Sequence, residues 1–236
     1  MNPMLIMANE QDEWNLLETH IRKMGNKVSI LEAGCGRYWP LDLKGMEVHL
    51  VGIDTDSEAI KTRTDLSVAI VGDICDSTLA EKGSFDVVFN SYVLEHVKGA
   101  EKALLNLVEW VRPGGLILLR IPDRDSAYGA ATRLSPFWVH VLYKRLVQGF
   151  KEAGTPGFGP YPTYHERIVS TEGIEAFCEA HDCQILEFFG HGYYLKYEGG
   201  NIAKWLAIGV WLLSLGRFPW RHNDLTFVIQ RRIHAD

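Results

Sequence analysis

The segment Leu31-Glu32-Ala33-Gly34-Cys35-Gly36 joins an apolar run to an acid and a two-glycine turn. Glycine has no Cβ and tolerates unusual φ/ψ, so a backbone of this kind can approach a ligand closely. Twenty residues after Gly34, a second apolar run over 48–53 ends in Asp54. A carboxylate at that spacing accepts hydrogen bonds from a ribose diol in dinucleotide sites. The two segments therefore predict a nucleoside site at the carboxyl ends of two parallel strands.

Two common nucleotide sites are disfavoured by what surrounds these glycines. The dinucleotide fingerprint G-x-G-x-x-G needs a third glycine where this chain has Trp39, and Pro40 follows. A long phosphate-binding helix cannot begin there in the usual way. The chain also lacks the G-x-x-x-x-G-K-[ST] run of a P-loop. We therefore expect neither a pyrophosphate cradle nor a triphosphate site.

The sequence resembles the class I S-adenosylmethionine-dependent methyltransferases. Four segments match that family in order, and a fifth looks like the family's turn into its fifth strand. These segments are 31–36, 51–54, 72–74, 85–97 and 111–119. The resemblance covers residues 25–123 and implies a Rossmann-like fold that binds S-adenosylmethionine and releases S-adenosylhomocysteine.

The hydrophobic pattern independently predicts an α/β fold. Short apolar runs of the kind buried in parallel sheets alternate with amphipathic helices. The predicted strands are 28–32, 48–53, 67–72, 85–90, 116–121, 184–189 and 225–231, and the predicted helices are 10–24, 57–63, one ending near Val111, and 171–181. We expect Pro113-Gly114-Gly115 to end that third helix. The result is a doubly wound, mostly parallel seven-stranded sheet whose last strand is antiparallel, as in the family.

We expect a single domain over residues 1–236. Two segments of it depart from the alternation of strands and helices. Residues 124–165 form an insertion after the fifth strand, with a predicted helix over 134–150, and in this family such an insertion covers the substrate. Residues 199–222 form a second helical insertion whose part 202–215 is apolar nearly all round. Such a helix must be covered, and three covers stay open: the first insertion, a dimer partner, or a membrane surface or lipid-like substrate. Fourteen helical residues span ~21 Å, too short to cross a bilayer.

The resemblance implies which residues hold the cofactor. Glu32 and the glycine loop would receive the methionine end, Asp54 the ribose, and Asp73 the adenine amine, with Ile74 against the ring. The full predicted set is Glu32, Gly34, Cys35, Gly36, Asp54, Thr55, Asp73, Ile74, Asn90 and Ser91.

Methyl transfer to oxygen needs a base for the hydroxyl proton, and histidine has a suitable pKa. The candidate bases are His165 and His96, with His140 as a weaker candidate. The predicted substrate residues are Tyr92, Tyr164, Trp138 and His140. The ubiquinone-pathway O-methyltransferases carry E-x-x-E-H at this loop, but Tyr92 replaces the first acid here. We therefore expect no metal ion.

Composition limits the partners and the compartment. The chain has 24 basic and 30 acidic residues, a net charge of −6, which argues against general nucleic-acid binding. Its four cysteines form no C-x-x-C pair, and no signal peptide is recognisable, so we expect reduced thiols and a cytoplasmic location. Membrane association through 202–215 stays an alternative. We expect a monomer or a homodimer.

Together these features predict a methyltransferase for a small, amphipathic or lipid-linked acceptor, acting most readily on oxygen. The alternatives are an RNA or tRNA methyltransferase, aminopropyl transfer, and a non-catalytic S-adenosylmethionine-binding partner protein. Base-amine enzymes commonly carry [DNS]-P-P-[YFW] at the fourth strand, where this chain has Asn90-Ser91-Tyr92-Val93.

Overall fold

The computed structural model describes residues 5–6, 9–146, 149–155, 161–192 and 200–233. These residues form one sheet with helices packed on both faces. The strands are β1 (Leu5–Ile6), β2 (Lys27–Ala33), β3 (Glu47–Asp54), β4 (Val68–Val71), β5 (Phe85–Ser91), β6 (Val111–Pro122), β7 (Cys183–His191) and β8 (Asp224–Arg231). The α-helices are α1 (Glu10–Lys23), α2 (Ser57–Lys61), α3 (Ala100–Trp110), α4 (Ala127–Leu134), α5 (Phe137–Leu146), α6 (Thr171–Ala180) and α7 (Gly200–Leu213).

The sheet has the order β1-β7-β8-β6-β5-β2-β3-β4. Strand β8 runs antiparallel to β6 and β7, and the other neighbouring pairs are parallel. The predicted doubly wound, mostly parallel sheet is thus confirmed, with the two-residue β1 added to the seven expected strands. From β2 the chain passes to β3 and β4, then returns to place β5 on the other side of β2. That reversal opens a crevice between the carboxyl ends of β2 and β5.

Both faces of the central strands are buried, which explains their nearly continuous apolar sequence. Leu31 and Val88 belong to a core that also contains side chains of α3 and α6. Their neighbours Ile30 and Val87 belong to the opposite core, which includes Leu17 of α1. Successive residues of a strand point to opposite faces, so each strand contributes to both cores.

The passage from α3 into β6 differs from the prediction. Helix α3 ends at Trp110 and β6 begins at Val111, before the Pro113-Gly114-Gly115 run. The register between β5 and β6 shifts between Phe85 and Val87, which is where these strands meet the run. Proline cannot donate to a ladder and is tolerated at such irregularities. The run is therefore an irregular part of the strand and not the stop signal of the helix.

The helix predicted over 134–150 corresponds to α5, but its predicted start is wrong, because α4 and α5 are separated at Ser135 and Pro136. Helix α4 ends at Leu134, and α5 begins at Phe137. Proline lacks an amide hydrogen and disfavours the helical conformation at the preceding residue, and Ser135 is accordingly extended, with φ −99° and ψ 141°. The apolar face predicted for this helix is largely exposed, at Leu134, Trp138, Leu142 and Leu146.

Helix α7 corresponds to the predicted apolar helix at 202–215. It packs on α4, and its buried residues are Ala203 and Ala207. Its large side chains Trp205, Leu206 and Leu212 are exposed. The first insertion, one of the three predicted partners of this helix, therefore covers only one side of α7. No described helix is long and apolar enough to span a bilayer.

A buried ion pair fastens α1 to the middle of the sheet. The Glu13 carboxylate is fully buried and accepts from Arg120 Nε at 2.8 Å and Nη2 at 3.0 Å. Thr226 Oγ1 donates to the same carboxylate, and His191 Nε2 lies 3.3 Å from it. The Arg120 guanidinium also lies 3.9 Å from the centre of the Trp14 ring. These contacts join α1 to β6, β7 and β8.

We expect Glu13→Gln to lower the free energy of unfolding by about 3 kcal/mol, because it leaves a buried arginine without its counter-ion. Glu10→Gln is the matched control, since Glu10 lies on the same helix, is half-exposed, and is 3.4 Å from the same guanidinium. That control should cost less than about 1 kcal/mol. Urea unfolding measures both variants, and equal losses would contradict this interpretation.

Candidate active site

Hydrogen bonds lock the glycine loop after β2 onto the end of β3. The amides of Gly34 and Cys35 both donate to the carbonyl of Ile53, at 2.8 and 3.0 Å. The amide of Gly36 donates to Asp54 Oδ2 at 2.8 Å. The two segments that the sequence singled out are therefore joined directly, through the backbone of one and the carboxylate of the other.

Gly34 occupies a position that no other residue could share. Its φ is +80°, and an added Cβ would lie 2.2 Å from Val93 Cγ2. The contact places the glycine loop against the segment that follows β5. Gly36 also has a positive φ of +51°, but the space beside it is open. Val93 thus leaves no space for a side chain at the start of the loop, and there is free space beside Gly36 at its end.

Asp54 retains acceptor capacity after bracing the loop. Its Oδ1 accepts from the Asp56 amide at 2.9 Å, and its Oδ2 accepts from Gly36. A carboxylate offers about four acceptor sites, so two remain on this half-buried group. The helix cap is supplied by Asp56, whose side chain accepts from the first amides of α2. Thr55 between them is exposed.

Glu32 is paired with a residue that the sequence patterns did not indicate. Arg63 Nη2 donates to Glu32 Oε2 at 2.8 Å, and both side chains are buried. The same guanidinium donates to the Cys35 carbonyl and to Asp65. Burial raises the pKa of Glu32, and the charge of Arg63 opposes that rise. Arg63 therefore links the Glu32 carboxylate to the backbone of the glycine loop at Cys35.

Asn90, at the end of β5, spans the crevice to β2. Its Nδ2 donates to the Ala33 carbonyl at 2.8 Å. Its Oδ1 is buried and has no hydrogen-bond partner among the described residues. A buried amide oxygen of this kind fits a donor group of a ligand. The neighbouring Ser91 accepts from Arg120 Nη1 at 3.2 Å.

The loop after β4 places its two predicted residues differently. Asp73 is exposed, and its Oδ1 accepts from the Cys75 amide at 2.9 Å. The side chain of Ile74 lies in the hydrophobic core, while its carbonyl accepts from Asn106 Nδ2 at 2.8 Å. The expectation that Ile74 packs on an adenine ring gains no support from this placement.

A cavity of about 590 Å³ lies beside the strand ends, bordered by α4, α5 and α7. It collects four of the predicted catalytic and substrate residues, Tyr92, His96, His140 and His165. Trp138 and Tyr164 are exposed and do not line it. The volume is that of a site for a small organic molecule.

Tyr92 connects this cavity to the end of β5. Its φ of +56° is rare for a residue with a side chain, and such strain is concentrated at functional sites. Its amide donates to the Arg120 carbonyl at 2.9 Å, and the Arg120 guanidinium lies 4.9 Å from its ring centre. The buried ion pair of Arg120 therefore also positions a wall of the cavity.

Three buried oxygen atoms on cavity-lining residues lack a hydrogen-bond partner within the described chain. They are Glu95 Oε2, Asn223 Oδ1 and Asp224 Oδ1. Burial raises the pKa of Glu95 to about 8 and the pKa of Asp224 well above its usual value. Arg124, whose Nε lies 3.5 Å from Asp125, also lines the cavity. With Arg124 Nε, a buried donor that also has no hydrogen-bond partner among the described residues, these groups fit a ligand that both donates and accepts hydrogen bonds.

The three histidines of the cavity differ in their freedom to act. His96 Nδ1 lies 2.8 Å from the Pro162 carbonyl, which can only accept, so Nδ1 carries the proton and Nε2 is left basic. His165 has a φ of +47°, and burial lowers the pKa of both His96 and His165. His140 Nε2 lies 3.1 Å from the Thr132 carbonyl, so that nitrogen is occupied at the break between α4 and α5.

Comparison with known proteins agrees with this geometry. A family model described as a methyltransferase domain matches residues 31–119. The ubiquinone biosynthesis O-methyltransferase of Rickettsia conorii is 32% identical over 121 residues, covering 47% of this chain and 41% of that protein. Phosphoethanolamine N-methyltransferase 1 of Triticum aestivum is 28% identical over 123 residues, covering 46% and 24%. The chain thus spans less than half the length of these two relatives.

Solved structures share the fold across nearly the whole chain. Geranyl diphosphate C-methyltransferase of Streptomyces coelicolor, solved with S-adenosyl-L-homocysteine, gives a TM-score of 0.54 at 11% identity and covers 94% of this chain and 79% of that one. The cyclase SpnF gives a TM-score of 0.56 at 13% identity and covers 94% and 82%. At these identities the likeness concerns the fold alone.

The sheet order and the glycine loop joined to an acidic strand end define a Rossmann-like methyltransferase domain. The match over residues 31–119 and the similarity to named methyltransferases support a class I S-adenosylmethionine-dependent methyltransferase. In the described parts of the chain, no group of three or more His, Cys, Asp or Glu side chains is placed to hold a metal ion. The expectation of a metal-free site stays a prediction.

We expect Glu95→Gln to stabilise the fold at neutral pH and not in acid. Since the pKa of Glu95 rises from 4.5 to about 8 on folding, ionisation favours unfolding and its cost grows as pH rises through that window. Glutamine removes the ionisable group, and the gain at pH 7.5 should be on the order of 2 kcal/mol. Melting curves of both proteins between pH 5 and 8 test this, and a constant difference would contradict it.

Proposed function

We propose that this chain transfers a methyl group from S-adenosylmethionine to an oxygen of a small amphipathic acceptor. The observation that carries the proposal is the cavity that lies beside the end of β5, next to the glycine loop. Tyr92 lines the cavity, and Val93, the next residue, touches the position of Gly34. The cofactor crevice and the acceptor cavity therefore share one boundary.

The residues at the strand ends fit the cofactor. Asp54 has two unused acceptor sites for a ribose diol, and Asn90 Oδ1 is a buried acceptor without a partner in the described chain. Gly36 leaves open space beside its α-carbon. When bound, S-adenosylmethionine would supply an electrophilic methyl group. The task of this chain is to hold the acceptor close to that group and to exclude water.

The polar part of the cavity favours an acceptor with hydroxyl groups. Glu95, Asn223 and Asp224 each offer an oxygen that awaits a donor. A hydroxyl satisfies such an oxygen without bringing a charge into a buried site. The net charge of −6 of the chain disfavours the RNA and tRNA alternatives.

The remainder of the wall favours an apolar portion of the same acceptor. Tyr128, Val139 and Tyr143 line the cavity together with Leu206, which is itself exposed at the surface of α7. The cavity therefore extends from a polar end to an apolar rim. This polarity suits a ring with hydroxyl groups and a hydrocarbon tail, which agrees with the ubiquinone-pathway relatives.

His96 is the base that the geometry favours, with His165 as the alternative. The Pro162 carbonyl holds the proton of His96 on Nδ1 and leaves Nε2 able to accept a hydroxyl proton. Burial lowers the pKa of His96, which keeps the ring neutral at physiological pH. His165 lines the same cavity, and no hydrogen bond within the described residues fixes its tautomer.

We expect wild-type protein to bind S-adenosylmethionine and S-adenosylhomocysteine, and Asp54→Ala to lose at least about tenfold in affinity, because an acceptor pair for the ribose is removed. Asp56→Ala is the control, since it removes the adjacent helix cap and leaves Asp54 in place. Titration calorimetry measures all three. Absence of binding to folded wild-type protein would remove the methyltransferase proposal.

The acceptor is tested with a panel of phenols and primary amines, each with and without an alkyl tail, and with products detected by mass. We expect tailed phenols to be methylated and His96→Gln to lower kcat by about 10²-fold or more. Since a base works only when neutral and the pKa of His96 is lowered, activity should fall only below pH 6.5, and this acidic limb should disappear in the variant.

His140→Gln is the control, because its ring is committed to Thr132. Loss of the acidic limb in His165→Gln alone would assign the base to His165. Methylation of amines without phenols would overturn the oxygen assignment and keep the transferase. An unchanged pH profile in both His96→Gln and His165→Gln would contradict histidine catalysis.

A further inference from the structure

The surface around the cavity rim is rich in exposed apolar side chains. Those of the segment containing α5 are Leu134, Phe137, Trp138, Leu142, Leu146 and Phe150, and those of α7 and its following turn are Ile202, Trp205, Leu206, Trp211, Leu212, Leu213 and Leu215. We call these residues the rim surface. Trp205 is 71% exposed and Leu213 is 90% exposed. Monomeric soluble proteins rarely expose so much contiguous apolar area without a partner.

The charge of the same segments is opposite to that of the whole chain. Residues 134–151 and 200–221 contain six lysines and arginines and no aspartate or glutamate, whereas the chain carries a net −6. Lys204 of α7 is exposed and lies 5.9 Å from the centre of the Trp220 ring, and Arg217 and Arg221 after α7 are also exposed. Apolar and aromatic side chains flanked by basic ones are typical of surfaces that lie on anionic lipid.

The rim surface is continuous with the cavity. Val139 and Tyr143 of α5 and Leu206 of α7 line the cavity, and Leu206 is also exposed to solvent. The two helices that carry the exposed apolar residues therefore border one opening. A molecule with its tail in a lipid layer could reach the cavity without passing through water.

A second copy of this chain fits the rim surface poorly. A symmetric dimer would place the same patch on both subunits, so the exposed Lys204, Arg217 and Arg221 of both copies would lie in one contact. Like charges brought together in a desolvated contact disfavour it. Negative lipid headgroups instead neutralise these residues, while Trp205 and Leu213 enter the boundary between headgroups and acyl chains.

We propose that the rim surface docks on an anionic lipid membrane and opens the cavity towards it. Helix α7 would lie in the plane of the interface, with Ala203 and Ala207 against α4 and the large side chains in the lipid. The proposal concerns lipid binding alone and does not need the methyltransferase activity.

The test is co-sedimentation of the full chain with phosphatidylcholine vesicles, with and without phosphatidylglycerol, in the absence of cofactor and acceptor. We expect binding only to the anionic vesicles. Binding should be weaker at 1 M salt, because the Debye length falls to about 3 Å from ~10 Å at 0.1 M and the attraction between charges then acts over a shorter distance. Lys204→Gln with Arg217→Gln should weaken binding roughly fivefold for each charge removed. Trp205→Glu with Leu213→Glu should weaken it by more than about tenfold.

Matched controls lie away from the rim surface. Val68→Glu alters an exposed apolar residue of the edge strand β4, and Lys27→Gln with Lys61→Gln removes two exposed charges elsewhere. These variants should bind vesicles as the wild type does. All variants should keep the wild-type affinity for S-adenosylmethionine, which separates this test from that of the proposed function.

Absence of binding to anionic vesicles at low salt would overturn the proposal, and so would equal binding to neutral vesicles. Light scattering of the protein alone supplies the remaining outcome. A dimer that Trp205→Glu dissociates, without vesicle binding, would assign the rim surface to a second copy of the chain.

Discussion

The close contact between the glycine loop and the ends of two strands is the constraint on which the site depends. The Ile53 carbonyl and the Asp54 carboxylate hold the loop from one side, and Val93 leaves no room for a Cβ at Gly34 on the other. Arg63 also holds the loop, because its guanidinium donates a hydrogen bond to the Cys35 carbonyl. A loop fixed in this way presents a rigid backbone at the crevice, which lowers the entropic cost of binding a nucleoside.

A second constraint is the buried charge of Arg120. Its pairing with Glu13 anchors the N-terminal helix, and its contact with Tyr92 positions the wall between crevice and cavity. Its positive charge also opposes the rise in the pKa of Asp224, which desolvation causes. One arginine thereby links the packing of the sheet to the polarity of the cavity. Replacing such a network is costly because each partner would be left buried and unpaired.

The parts of the fold that follow from local patterns were predictable from the sequence. Buried strands, helix caps such as Asp56 and the role of Gly34 follow from periodicity and backbone chemistry over a few residues. Pro136 indicates that α5 begins after it, but the apolar period alone placed the start of that helix at Leu134. The pairing of Glu32 with Arg63 was not predictable, because contacts between residues far apart in sequence depend on the completed fold. The burial of Asp224, whose Oδ1 has no hydrogen-bond partner among the described residues, was not predictable for the same reason.

We interpret the crevice and the cavity as two halves of one site, joined at Tyr92. The most direct test of this interpretation is a crystal structure of the protein with S-adenosylhomocysteine bound. We expect the ribose hydroxyls on Asp54, the amino end near Asn90, and the sulfur directed at the cavity that contains Glu95 and His96. A nucleoside bound elsewhere, or a sulfur separated from the cavity by protein, would contradict this interpretation.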